Sequence, residues 1–320
     1  MKKVNQKLSL LLLGSAIIAS SIVSSCSKSS NNNNTPPPPK PPTNPGNYDS
    51  SAQIASSSLV AYFPFNGSYN DVKQGLSGTN HGASFTTGVK GQAYQGGGNS
   101  YVTFTNAGTL GTLTSFTMSV WVKQPSQPIN DTTPNYIAGQ GAQGLLFMYD
   151  TATSWNLLHL DFEPFTPVSK DSLRVHAGFN STGATAYQGI VPEMFVDSGL
   201  NNWFQFVFTY NGASSEFTVY KNGVAISANS AWGYKPTPYK IWTDGSATTP
   251  FGNINYKNKP QGFVLGAFPQ AVTPTISTSI GSPQPWSGNL QGAMDELRIY
   301  NSALNAVDVN SLYLLEKAGF

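Results

Sequence analysis

From Leu59 onward the chain runs in short stretches where apolar and polar residues alternate, each closed by a turn signal rich in Gly, Asn or Pro. A period of two gives a strand one core face and one solvent face, and many such stretches in series predict an all-β sandwich or barrel. "SLVAYFPFNG" comes first, and "NSYVTFTN" and "SFTMSVWVKQ" follow glycine-rich turns. "NWFQFVFTYNG" and "SEFTVYKNGVAIS" form the clearest pair, and Asn222 with Gly223 inside the second marks a tight hairpin. "GFVLGAF" and "GAMDELRIY" complete the set. Only the tail reads as a helix, with Asn305 as N-cap, Asp308 in the first turn and Val309, Leu312 and Leu315 as a partial apolar stripe. No internal repeat is visible.

Composition supports this picture. Charged residues make up 10% of the 320, against about 25% in an average globular chain. Such a chain meets solvent through hydroxyls and amides. The formal net charge is +2, from 17 bases and 15 acids, and no basic stripe is interleaved with aromatics. A nucleic-acid partner is therefore not expected. The single cysteine, Cys26, cannot form an internal disulfide.

Residues 1–25 read as a signal peptide, with Lys2, Lys3 and Lys7 ahead of the apolar run "LSLLLLGSAIIASSIVSS". The small residues before Cys26 resemble the relaxed lipobox of bacterial lipoproteins, particularly those of the Bacteroidota. That resemblance implies cleavage before Cys26 and its lipidation. Residues 26–55 hold almost no apolar content and a proline block, and they predict a disordered, semi-rigid tether. Residues 56–320 are left as one folded domain, long enough for a large sandwich with its own core. The expected place is the cell envelope, at the outer membrane, with the lipid as the only membrane contact.

The strand-like stretches also carry a family pattern. "LVAYFPFNGSYNDV", "GVKGQAYQGGGNSYVTF", "SFTMSVWVK", "FTVYKNGVAI" and "LQGAMDELRIYNSALNAVDVNSLY" occur in order over most of residues 59–313. Together they resemble a laminin-G-like domain, a member of the concanavalin A-like jelly rolls. The resemblance implies a two-sheet jelly-roll sandwich closed by a short C-terminal helix. The family spans lectins, adhesion modules and accessory domains of hydrolases, so fold alone does not give function.

Asp295 and Glu296 stand side by side in the closing strand. By alternation they face opposite ways: Asp295 with Leu297 and Ile299, Glu296 with Met294, Arg298 and Tyr300. Two acids on opposite faces cannot flank one glycosidic bond. Glu296 reads as a solvated partner of Arg298. Asp295 lies among aliphatic neighbours and needs a partner that replaces water. In resembling domains, acids of the first loop and closing strand often hold a structural calcium, and the matching positions here are Asn66, Asp71 and Asp295. Asn66 stands where the family has Asp. Calcium and main-chain N–H groups both remain open as Asp295's partner.

For catalysis, the resembled fold includes family-16 glucanases, which carry E-x-D-x-E or E-x-D-x-x-E on one strand. "LLHLDFEPF" instead places His159, Asp161 and Glu163 on one face, with a histidine in the nucleophile position. A solvated strand is the plain reading, and an unusual hydrolase or a His/Asp/Glu metal site the sharper ones. His176 reads as isolated, and His81 as part of a turn.

Binding points elsewhere. Between Val224 and Gly262 the chain inserts Trp232, Tyr234, Tyr239, Trp242, Phe251 and Tyr256 among Gly, Pro, Asn and Thr. Ring faces stack on sugars and amides bind hydroxyls. Trp232, Tyr234, Tyr239 and Trp242, with Trp155 from a second stretch, are the candidate ligand-binding residues, although at least half of the inserted rings are expected to pack inward. Trp121 and Trp203 read as core packing. Trp286 fits either role. The expected function is a non-catalytic carbohydrate-binding or adhesion module whose partner is a glycan or glycoprotein. Its alternatives are a glycoside hydrolase or lyase of the same fold, and a protein-binding adhesion domain.

Overall fold

The computed structural model describes residues 39–129, 141–154, 157–164, 171–179, 193–230, 233–235, 237–243, 248–281 and 283–320. The strands begin with β1 (Leu59–Phe63), β2 (Thr79–His81), β3 (Ser84–Thr87), β4 (Gln92–Gln95), β5 (Tyr101–Phe104) and β6 (Phe116–Lys123). Next come β7 (Ala142–Tyr149), β8 (His159–Glu163), β9 (Leu173–Gly178), β10 (Glu193–Val196), β11 (Phe204–Asn211), β12 (Glu216–Lys221) and β13 (Val224–Ile226). The last are β14 (Ala228–Ser230), β15 (Gly233–Lys235), β16 (Tyr239–Lys240), β17 (Gly262–Leu265), β18 (Ser287–Asn289) and β19 (Ala293–Tyr300), before helix α1 (Ala306–Lys317).

They form two sheets, and the chain is a two-sheet jelly-roll sandwich with one short C-terminal helix. The first sheet runs β13-β12-β11-β6-β19-β4-β3, with β1 added on β19 and β16 on β12. The second runs β15-β14-β10-β9-β8-β7-β17-β5-β2, with β18 parallel to β7. Alternation does the packing. Phe116, Met118, Val120 and Val122 of β6 and Phe204, Phe206, Phe208 and Tyr210 of β11 fill the core between the sheets. Leu160 and Phe162 of β8 and Val175 and Ala177 of β9 meet them from the second sheet.

Part of the outer face of the first sheet is covered by α1. Asn305 caps this helix, its side chain accepting from the Asp308 N–H at 3.0 Å. Val309, Leu312 and Leu315 pack with Val207, Tyr220 and Tyr300 in a second apolar cluster. At about 1.5–3 kcal/mol for each fully buried aliphatic side chain, this stripe is what docks the helix. The hairpin at Asn222 and Gly223 is present, with φ of 52° and 77°. Both residues thus take the left-handed conformations that a tight hairpin turn requires.

Two expectations are corrected. The folded unit begins near Lys40, not at residue 56. Asn44 ties its own loop by hydrogen bonds to Tyr48, and the Gly46 N–H donates to Ser311 of α1. Ser51 donates to the Phe320 carbonyl at 2.6 Å, and Ile54 is fully buried beside the helix. A stretch poor in apolar residues is held because one buried isoleucine and several hydrogen bonds seat it on α1.

The second correction concerns β19. Its pairing with β6 shifts register between Asp295 and Arg298, and Glu296 sits at φ 49°. This β-bulge adds one residue and breaks the alternation. Met294 and Leu297 therefore both enter the inter-sheet core, which strict parity would forbid. Glu296 is not solvated. It is fully buried, as are Arg298 and Glu316. Arg298 donates from Nη2 to Glu296 at 2.8 Å and from Nε to Glu316 at 2.7 Å. Tyr62 donates to Glu296 at 2.8 Å, and Trp121 and Gln205 donate to Glu316 at 2.7 and 3.0 Å. The Arg298 guanidinium lies 4.0 Å from the Tyr62 ring centre. Trp121 is core packing as expected, stacked on Tyr313 of the helix at 5.5 Å.

Candidate functional site

Asn66, Asp71 and Asp295 each accept hydrogen bonds from main-chain N–H groups. Asp71 accepts at Oδ1 from the Tyr62 and Lys73 N–H groups and at Oδ2 from Gln74, at 2.7, 3.0 and 2.6 Å. Asp295 accepts at Oδ2 from Val89 and Lys90 and at Oδ1 from Glu296, at 2.8, 3.1 and 2.8 Å. Asn66 accepts from the Gln92 N–H at 2.7 Å. Asn66 and Asp295 thus clasp the turn at residues 88–91, which joins β3 to β4. The glycines of "GVKG" make the clasp possible. A Cβ on Gly88 would meet Asp295 Oδ2 at 2.3 Å, and one on Gly91 would meet Asn66 Oδ1 at 2.1 Å. Main-chain N–H groups point their positive ends at every carboxylate oxygen of the set. The partners that replace water around Asp71 and Asp295 are thus main-chain N–H groups.

His159, Asp161 and Glu163 do share the outer face of the second sheet, since Leu160 and Phe162 between them point into the core. His176 is not isolated. It lies directly across from Asp161 in the β8–β9 register, with Nδ1 3.6 Å from both Asp161 Oδ2 and Glu163 Oε1. Burial pulls His176 down, but the Asp161 and Glu163 carboxylates outweigh it and hold the imidazole at about 9. Burial pushes Asp161 up to about 7 against the pull of His176. Burial lowers His159 to about 3, so its ring is neutral near pH 7. It stacks on Phe147 at 4.9 Å. Asp161 is 1% exposed. A carboxylate so enclosed does not suit direct contact with a polysaccharide.

The inserted aromatic residues divide. Trp155 and Trp232 lie outside the described residues, and Tyr234 is described only as part of β15. Phe251 is buried in the inter-sheet core, and Tyr239 and Tyr256 pack against its edge. Trp242 stays half-buried, with the Lys240 ammonium 4.9 Å from its ring centre. Trp286 sits edge-on to Phe268 at 5.5 Å and packs on the outer face of the second sheet.

One open concavity among the described residues is formed by side chains to which the sequence assigned no binding role. A cleft of about 170 Å³ is lined by Trp203, Lys123, Gln95, Thr86, Thr87, Asn201 and Gln291, among others. It lies on the outer face of the first sheet. Gln95, Ala293 and Lys123 are direct cross-strand neighbours on β4, β19 and β6. Trp203 follows in the same row, because Phe204 pairs with Val122 one step away. Ala293 at the centre and Gly292 beside it are small, so the longer side chains around them stand as walls. A Cβ on Gly292 would meet the Lys123 carbonyl at 2.2 Å, so only glycine allows this close approach.

The walls are held in place. Gln95 donates to the Gly96 and Gly292 carbonyls at 2.8 and 3.3 Å, and Gln291 to Asn289 at 3.0 Å. Below them Gln124 donates to Gln143 at 2.6 Å, linking the two sheets. The Gln124 carbonyl in turn takes the Asn201 N–H at 2.8 Å. Trp203 is half-buried on this cleft, not core packing as expected. The signal was present: Phe204, Phe206, Phe208 and Tyr210 mark the inner face of β11, so Trp203 falls on the outer one.

No protein-family model matches the chain, and no curated protein matches it. Solved structures do resemble it. One is domain 4 of AbnA, a GH43 extracellular arabinanase from Geobacillus stearothermophilus, in complex with arabinotriose. It is 18% identical over 80% of this chain and 98% of that one, with a TM-score of 0.45. Another is botulinum neurotoxin type C, in a study of its cell entry through two ganglioside molecules, at 12% identity, 82% and 52% coverage and a TM-score of 0.49. A third is Trypanosoma rangeli sialidase with 2,3-difluorosialic acid, at 16% identity, 82% and 33% coverage and a TM-score of 0.47. The chain spans about half of the neurotoxin chain and a third of the sialidase. These likenesses bear on the fold alone.

Proposed function

We propose that this protein is a non-catalytic carbohydrate-binding module, and that the Trp203 cleft is where a glycan or glycoprotein docks. The observation that supports this reading is the cleft's chemistry. One half-buried indole stands among amides, hydroxyls and a lysine, and two of the amides are pinned by main-chain hydrogen bonds. A flat apolar face beside fixed polar groups matches a sugar ring, which pairs C–H faces with a rim of hydroxyls. Trp242, the half-exposed ring of the insertion, is a second contact in this proposal. The lipid anchor on Cys26 and the proline-rich stretch after it would hold the module at the cell envelope, within reach of polysaccharide. Cys26→Ala should move the protein from the membrane to the soluble fraction; a variant that stays with membranes removes the anchor from the proposal.

The binding test is a glycan array with the full chain, followed by titration of the best glycan. Trp203→Ala is expected to weaken that glycan at least tenfold, about 1.4 kcal/mol, as loss of an indole at the centre of a contact does. Its melting temperature should stay within about 2 °C of the parent, because a half-exposed ring on the outer face leaves no core cavity. An array without any bound glycan, or a Trp203→Ala variant that binds like the parent, sinks the assignment. In the first case, protein partners recovered by pull-down would favour the adhesion reading instead.

A further inference from the structure

We propose that His159, Asp161 and His176 form a binding site for a divalent transition-metal ion of the zinc type. Their ligand atoms all lie within 4.8 Å of one another on the outer face of the second sheet. An independent sign is the state of Asp161. Its side chain is 1% exposed, and neither carboxylate oxygen has a hydrogen-bond partner. The nearest cation among the described residues is His176 at 3.6 Å, too far for a hydrogen bond; a buried carboxylate without hydrogen bonds is costly, and a bound metal ion would remove that cost.

His159 is oriented in a way that suits a metal. His159 Nδ1 is 2.9 Å from the Leu157 carbonyl oxygen. A carbonyl only accepts, so Nδ1 carries the proton and Nε2 presents its lone pair. Metal-binding histidines are oriented by the same device. Across the register stands Gly178, where any Cβ would come within 2.3 Å of that Nε2. Glycine therefore gives the imidazole its place. Asp161 and His176 face each other directly on β8 and β9, and His159 follows two residues along the same face.

Two imidazole nitrogens and one carboxylate oxygen select zinc, cobalt or nickel over calcium and magnesium, which prefer all-oxygen shells. Three protein ligands leave one position open. Glu163, 26% exposed and 3.6 Å from His176, marks the solvent side of the same row.

The test uses the full chain, stripped with chelator and free of any histidine tag. It is titrated with zinc by calorimetry and with cobalt by visible absorption. One zinc per chain and a cobalt spectrum of a histidine-bound ion are expected, with no competition from calcium. Loss of a neighbour that merely orients a ligand costs about 10–100-fold in affinity, so Asp161→Asn and His176→Gln should each cost at least about 100-fold. If Asp161→Asn does not fold, His176→Gln decides alone, since glutamine keeps a polar side chain beside Asp161. No zinc uptake by the unmodified chain, uptake undiminished in the folded variants, or preference for calcium at these residues overturns the site.

Discussion

Arg298→Leu is expected to cost about 3–5 kcal/mol of stability, the usual result of removing one partner from a buried ion pair. Arg298 is the only cation in contact with Glu296 and Glu316 among the described residues, and both acids are fully buried. Leucine would leave two carboxylates in the interior with only neutral donors: Tyr62 on one, Trp121 and Gln205 on the other. In a domain of this size the melting temperature should fall by roughly 10 °C.

The pH dependence of that loss has a definite sign. Burial already pushes Glu316 up to about 7, against the pull of Arg298. Without Arg298 the Glu316 carboxyl rises further above its unfolded value. A carboxyl raised in the folded state stabilises at low pH and loses that contribution as pH climbs through its folded pKa. The gap between variant and parent should therefore narrow as pH falls from about 7 toward 5. Glu296→Gln and Glu316→Gln added to Arg298→Leu should recover part of the loss at pH 7 by removing the stranded charges. Melting curves across pH check this, and an Arg298→Leu protein that melts with the parent would refute the network's role.

Asp295→Ala is the second large effect. It strips the acceptor from the N–H groups of Val89, Lys90 and Glu296 at once. A buried donor left without its acceptor costs about 1–3 kcal/mol, and water reaching the turn at residues 88–91 offsets part of this. The expected loss is about 2–4 kcal/mol, roughly 6–12 °C in melting temperature. Asp295→Asn keeps one acceptor oxygen and should fall between alanine and the parent. Excess calcium added to metal-free protein should leave the melting temperature of the parent unchanged. A rise with calcium in the parent that vanishes in Asp295→Asn would mean that these residues do hold the ion, since a ligand of the native state alone must stabilise it.

How much of this was legible from residue order depends on the range over which each feature is decided. The strands, the hairpin at Asn222 and Gly223 and the capped helix at Asn305 were readable, because alternation, left-handed turn residues and capping are properties of a few neighbouring residues. The face shared by His159, Asp161 and Glu163 was readable for the same reason. Asp295 was correctly marked as buried and in need of a partner. The partner itself, a turn more than two hundred residues away, was not local information.

The bulge at Glu296 was the point where counting failed. One inserted residue reverses the parity of everything after it, and the left-handed conformation that makes the bulge falls on a glutamate, where no glycine signals it. His176 looked isolated because its partners lie on the adjacent strand. Trp203 looked like core because its strand does, although parity placed it outside.

By its own order of residues, this chain determined an all-β fold, its turn chemistry and the burial of Asp295, since each is decided among neighbouring residues. Tertiary structure alone decided that Arg298 is buried with two acids, that residues 44–54 belong to the folded unit, that four polar residues of β8 and β9 meet, and that Ala293 and Gly292 leave a hollow beside Trp203. These are cross-strand facts. Register between distant segments sets which side chains meet, and a sequence carries register only as the sum of every contact the fold makes.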